Sequence, residues 1–343
     1  MKKQLLIAAV AATMTSAAMA DISITGDAHM RFATVESATP GAADINSLDQ
    51  RIRLKVLGTA GDVKVVLGLR TDNDNDNTAR SSGGANPAAS GFETDYRYVS
   101  AKIGGVTIKA GEWWETTGFG LVRKGQGAGD NVINASTSVG DIDLAIQTET
   151  ASSSVTMNAD TTIADIKVGI EHDTANNTGY TDVTAKGKVS SVNFAIENYS
   201  SDATAGDADA DLIHLSTKVG GVTYHLARAT WDADSGNARA NNKKFTPLGV
   251  SILATANGVN GNLALGNVNA GTTKDKVTGI RADFNVAGMG VQVAAGNLTV
   301  GVTDESFSDI IVTRSLGNGA SLKLSAGKWN DRTSMGAKIA VKF

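Results

Sequence analysis

Ile22, Ile24, Gly26, Ala28, Met30 and Phe32 alternate one by one with Ser23, Thr25, Asp27, His29 and Arg31. Period two over this length predicts a strand with one small or apolar face and one charged face. The pattern returns where Ile52, Leu54 and Val56 alternate with Arg51, Arg53 and Lys55. Short turns rich in Gly, Asn, Asp or Ser fall at 58–62, 104–105, 140–141, 164–165, 190–191, 220–221, 257–261, 287–290 and 317–319. Longer polar connections lie between them, among them 71–94, 112–130, 200–208 and 231–244. A tight turn alternating with a long loop is what up-and-down hairpins with two unlike rims produce. Nine such turns join eighteen strands, and the first and last strands raise the count to twenty. Alternation alone leaves open whether the charged face meets bulk water, as in a sandwich, or lines a lumen whose outer band meets lipid. The regular alternation of connections favours a transmembrane antiparallel barrel, all-β and up-and-down.

Composition narrows this further. The chain has 38 glycines, three prolines and no cysteine, which excludes disulfide frameworks and Cys-ligated metal centres. Its net charge of −4 and the absence of a basic stripe speak against a nucleic-acid partner. Lys2 and Lys3, the apolar run Leu5 to Ala12 and the small residues Ala18-Met19-Ala20 read as a secretory signal peptide over 1–20, leaving 21–343 as the barrel. Past it, no run approaches the about 20 apolar residues of a spanning helix. Residence in a membrane therefore requires a closed barrel, which satisfies every backbone group in lipid.

The chain ends with Met335, Ala337, Ile339, Val341 and Phe343 on one face of a final strand. Together with the leader, the opening strand Asp21 to Phe32 and the hairpin Tyr98-Val99-Ser100-Ala101-Lys102-Ile103-Gly104-Gly105-Val106-Thr107-Ile108-Lys109-Ala110-Gly111, this resembles the general-diffusion porin family of Gram-negative outer membranes. The likeness implies a homotrimer of water-filled, sixteen-stranded barrels, each narrowed by an inward-folded third external loop. It also implies that Phe343 serves as the assembly signal. Lipid and lipopolysaccharide would be the surrounding partners, with ions and small hydrophilic solutes as cargo. Where the family commonly has Arg after the last glycine of that hairpin, this chain has Glu112.

Residues 112–130 are the candidate constriction loop, with Glu112, Glu115 and Asp130 as its acids and Arg123 and Lys124 as its bases. The lumen faces of the first strands offer Arg31, Arg51 and Arg53, and the hairpin offers Lys109. Acids facing bases produce a transverse field that favours dipolar solutes, and charged side chains set selectivity. With Glu112 in the loop, a weak cation preference is expected. Arg97 is left out, because the Gly104-Gly105 turn puts it on the face of Val106 and Ile108.

The run Asp72 to Asn77 begins like a calcium loop, but Asn77 stands where an EF-hand needs glycine and Gly83 where it needs glutamate. It reads as a solvated outer loop, with room for a loosely held calcium near Asp72, Asp74 and Asp76. Gly125 to Gly129 lacks the Lys-Ser/Thr of a phosphate loop. His214 and His225 share a face near the 220–221 turn without a third ligand and read as lumen polar groups. No cofactor, metal site or catalytic constellation is expected, and there is no Gly-x-Ser-x-Gly elbow. The function read here is a passive channel, not an enzyme. The alternative is a secreted or surface-layer β-rich structural protein binding calcium, which would need short stacked repeats that the sequence lacks.

Overall fold

The alternating segments form strands in a computed structural model that describes residues 21–37, 43–72, 92–121, 124–127, 131–149, 154–175, 179–201, 208–231, 275–300 and 303–343. The first five strands are β1 (Asp21–Val35), β2 (Ile45–Ala60), β3 (Val63–Asp72), β4 (Glu93–Ile103) and β5 (Val106–Glu112). A small hairpin follows, β6 (Trp114–Thr116) and β7 (Lys124–Gly127). Next come β8 (Val132–Val139), β9 (Ile142–Glu149), β10 (Val155–Ile163), β11 (Ile166–Asp173), β12 (Tyr180–Val189), β13 (Val192–Ser201), β14 (Ala208–Val219) and β15 (Val222–Trp231). The last five are β16 (Asp275–Val286), β17 (Met289–Val300), β18 (Thr303–Gly317), β19 (Ala320–Trp329) and β20 (Arg332–Lys342).

All but β6 and β7 belong to one antiparallel sheet of 18 strands, which closes because β1 pairs with both β2 and β20. The barrel is thus neither the sixteen-stranded one of the resemblance nor the twenty-stranded one of the turn count. The turn at 257–261 lies outside the described residues, and β15 pairs directly with β16, so the ring needs no hairpin there. The turn at 164–165 does join two strands, although Ala164 and Asp165 are not glycine and take φ of 49° and 66°. Gly104 and Gly105 reach φ of 56° and 93° without that steric cost, as a two-residue hairpin matching the strand twist requires.

At the seam, Gly26 N–H donates to the Phe343 carbonyl at 2.8 Å and Phe343 N–H donates to the Gly26 carbonyl at 3.0 Å. A Cβ on Gly26 would lie 2.7 Å from the Phe343 ring, so the terminal aromatic occupies the space a side chain would take. The alternation resolves into two surfaces. Ile24, Met30, Ile52, Val65, Val99 and Ile146 are among the large apolar residues exposed on the outer wall. The intervening residues line the interior. No helix among the described residues is long and apolar enough to cross a membrane. Buried side chains gather where the chain between β5 and β8 packs on the inner wall, at Trp113, Leu121, Val132, Tyr180, Tyr199 and Trp231.

Candidate functional site, the lumen and its inward loop

The segment between β5 and β8 is the third of the long connections, and its contacts lie inside the barrel. Trp113 turns inward against Tyr98, ring centroids 6.2 Å apart and edge-on at 78°. Lys109 Nζ stands 3.8 Å from the centre of the Trp113 ring, a cation over a π face. Trp114 Nε1 donates to Asp95 Oδ1 at 2.8 Å, and Arg70 approaches the same oxygen at 3.6 Å. A bulge between Gly68 and Leu69 re-aims this part of β4, and a Cβ on Gly68 would meet the Tyr96 ring at 2.4 Å.

Farther along, Gln147 of β9 donates to Glu115 Oε2 at 3.0 Å. The loop tip then reaches β12–β15. Phe119 N–H and Leu121 N–H donate to the two carboxylate oxygens of Glu197 at 3.0 and 3.2 Å. Trp231 Nε1 donates to the Leu121 carbonyl at 3.1 Å. Thr117 Oγ1 lies 3.4 Å from the Tyr180 hydroxyl, and Tyr180 stacks on Tyr199 with centroids 5.2 Å apart. Glu197 and Asp182 are each 1% exposed. Gly118, at φ 54°, passes so close that a Cβ there would lie 2.4 Å from Asp182 and 2.6 Å from Glu197. Only glycine adopts that conformation in that space without displacing the acids.

The register places the remaining charges. Arg31, Arg51, Arg53, Arg70 and Lys338 share the inner face of β20 and β1–β3. Nine strands round the ring, the inner faces of β11–β13 carry Glu171, Asp173, Asp182 and Glu197. A basic wall therefore faces an acidic one, and the loop tip covers part of the acidic one.

Among solved structures, this barrel is similar to a BenF-like porin from Pseudomonas fluorescens Pf-5, with a TM-score of 0.61, 12% identity and coverage of 94% of this chain and 98% of that one. It is likewise similar to Acinetobacter baumannii OccAB3, with a TM-score of 0.63, 10% identity and coverage of 94% and 99%. The same holds for a mutant of the Rh. blastica porin, with a TM-score of 0.54, 12% identity and coverage of 94% and 100%. The chain has the porin fold. No protein-family model and no curated protein matches the sequence.

Within this barrel, Arg31, Arg51, Arg53 and Lys109 stand on the lumen face. Arg53 is fastened to Asp27 at 3.0 Å. Glu115 is in the lumen, bonded to Gln147. Glu112 is not: it pairs with Arg97 in the β4–β5 register and accepts from Arg97 Nη2 at 2.8 Å on the outward face. The parity that puts Arg97 outside through the Gly104-Gly105 turn puts Glu112 outside as well. Arg123, Asp130, Asp74 and Asp76 lie outside the described residues, as does the leader 1–20. Lys124 falls in β7 and Asp72 ends β3. His214 Nε2 and His225 Nδ1 lie 3.0 Å apart on the lumen wall. Their ring centres are 5.2 Å apart with nearly parallel planes, which at that contact is an in-line hydrogen bond rather than a stack. Asp182, Glu197, Tyr180, Tyr199 and Trp231 were not read from the sequence. A signal existed, because the three aromatics occupy the lumen parity where alternation calls for small polar groups.

Proposed function

We propose that the protein is a passive channel of the bacterial outer membrane that lets ions and small hydrophilic solutes diffuse through a water-filled barrel. The observation that carries this is the inward loop, whose tip is held by Glu197 against one wall and away from the facing wall that carries Arg31, Arg51, Arg53 and Lys338. A closed sheet with an outward apolar band has the geometry of a membrane-spanning barrel. Conduction of this kind needs no reaction in the lumen. The secreted calcium-binding alternative gains no support from this geometry.

The charge preference follows from which charges meet the open path. The acids of β12 and β13 lie beneath the loop tip, Glu112 lies outside, and the bases of β20 and β1–β3 face the lumen. At physiological salt a charge acts over about 8 Å, so those near the narrow section dominate. The channel therefore prefers anions weakly, the reverse of what Glu112 in the constriction would have given. Assembly as a homotrimer surrounded by lipopolysaccharide, with Phe343 as its insertion signal, belongs to the same reading. The test is single-channel conductance in a planar bilayer under a salt gradient: ohmic steps with a zero-current potential on the anion side are expected. Absence of steps overturns the channel reading, and a cation-side potential overturns the charge assignment.

A further inference from the structure

A groove of about 540 Å³ opens on the outer wall across β16–β19, lined in part by Thr278, Ala295, Asn297, Ser306, Ser308 and Lys328. These residues share the outward parity of Ile280, Val293, Ile310 and Leu324, all of them exposed. Toward the tight turns the groove is apolar, where Ile280 pairs with Ala295 and Ile310 with Ala326. One outward step nearer the long connections it turns polar, where Thr278 pairs with Asn297 and Ser308 with Lys328. Thr278 Oγ1 is buried there with no hydrogen-bond partner among the described residues. No carboxylate is among the lining residues, and Asp331, which comes within 3.8 Å of Lys328 Nζ, is itself fully exposed.

β19 begins at Ala320, beside the turn from β18, and Lys328 lies eight positions beyond it. At about 3.4 Å per residue and a tilt of about 40°, its backbone stands about 20 Å above that turn. An apolar band about 25 Å tall ends near this height, and the side of the long connections is the external one in barrels of this kind. The groove therefore crosses from hydrocarbon into the external headgroups. Its occupant has to be apolar below, and polar and anionic above. The polar part offers two kinds of group: one ammonium, which suits a phosphate, and a row of hydroxyls and an amide that donate and accept as sugar hydroxyls do. A free phosphate would use only the first, and would leave the apolar half empty.

We propose that this groove binds one lipopolysaccharide molecule by its lipid A, with a glucosamine phosphate at Lys328 and acyl chains over Ile280, Ala295, Ile310 and Ala326. The proposal rests on the reading of the protein as an outer-membrane barrel and gives its lipid partner a seat. The experiment titrates the purified protein, freed of lipid in detergent, with bis-phosphorylated lipid A, its dephosphorylated form or phosphatidylglycerol, and counts bound lipid by native mass spectrometry. The wild type retains one lipid A per chain and holds the other two lipids at least about ten-fold more weakly, the loss of one charge-assisted contact. Lys328→Gln weakens lipid A by the same factor and leaves the dephosphorylated form unchanged. Ser308→Leu, apolar like its outward neighbours, fills the groove and weakens both forms of lipid A. Arg97→Gln, at the outward base of β4, leaves binding as it is. Undiminished retention of lipid A in either Lys328→Gln or Ser308→Leu, or equal retention of phosphatidylglycerol, overturns the site and leaves only lipid surrounding the barrel. Displacement of lipid A by inorganic phosphate at equal concentration overturns it in favour of a free-anion site. A wild type that binds no lipid A but forms oligomers that Ser308→Leu dissociates overturns it in favour of a second copy in the groove. KCl conductance in a planar bilayer survives each of these outcomes, and its absence in the wild type overturns the channel reading instead.

Discussion

On β20 and β1–β3 the bases Arg31, Arg51, Arg53 and Lys338 stand on a lumen face that the loop tip does not reach, whereas across the ring Asp182 and Glu197 are covered by it. The same residue class, an inward charge on an alternating strand, serves two ends. A charge left in water acts at a distance on passing ions, whereas Glu197, taken out of water, acts by contact on the backbone donors of Phe119 and Leu121. What separates them is the loop, because the low-dielectric cover that weakens hydration strengthens a hydrogen bond.

The largest break in this comparison comes from Glu197→Ala. It removes both acceptors for Phe119 and Leu121 N–H, each hydrogen bond contributing about 0.5–1.5 kcal/mol, so the loop tip should detach more often than in the wild type. Larger, noisier conductance steps and protease cleavage within the loop would register it, and steps like those of the wild type would show that other contacts hold the tip. Gly118→Ala attacks the same seat through the backbone. A non-glycine residue at φ 54° costs about 1–3 kcal/mol before the contact with Asp182 is counted, and intermediate noise is expected in the same recording.

A change on the open wall should leave the loop in place. Arg51→Gln with Arg53→Gln is expected to move the zero-current potential toward cations with little change in open-channel noise. Glu112→Gln, on the outer face, should leave that potential where it is. If the two variants shift it alike, the division between lumen and outer wall fails.

The smallest effect lies at the rim. Glu36 accepts from both the N–H and the hydroxyl of Thr333 at 3.0 Å, and these bonds hold its carboxyl below the ordinary carboxylate range. A depressed folded value means that the clip contributes at neutral pH and is lost as pH falls through that lowered value. The protection factor of the Thr333 amide, its exchange rate relative to the intrinsic rate at the same pH, should fall there, and Glu36→Gln should remove most of that pH dependence.

The barrel was legible because alternation and tight turns are local. Arg31, Arg51 and Arg53 could be assigned to the lumen from parity alone. The turn count exceeded the ring at 257–261, which lies outside the described residues: β15 pairs directly with β16, and Gly-Asn composition alone does not say that a stretch joins two strands of the sheet. Glu112 was misplaced although its parity was readable: the likeness to an inward loop was extended one residue into the strand that precedes it. Glu197 could not be assigned to the loop by any local rule, because it meets Phe119 across 78 positions of chain and nothing on β13 announces the partner.

Most sheet pairings join strands that follow one another closely along the chain, but the seam between β1 and β20 joins the first to the last. During synthesis, β1 therefore carries an unpaired backbone edge until the final residues emerge. Such an edge templates pairing with any extended neighbour, including another unfinished copy. The entropy of bringing the distant ends together must also be met before the seam's hydrogen bonds repay it. The Gly26–Phe343 bonds thus make the ring a structure that is complete or open, with no stable shorter version, and a nascent chain has to be kept from its siblings for as long as its last strand is missing.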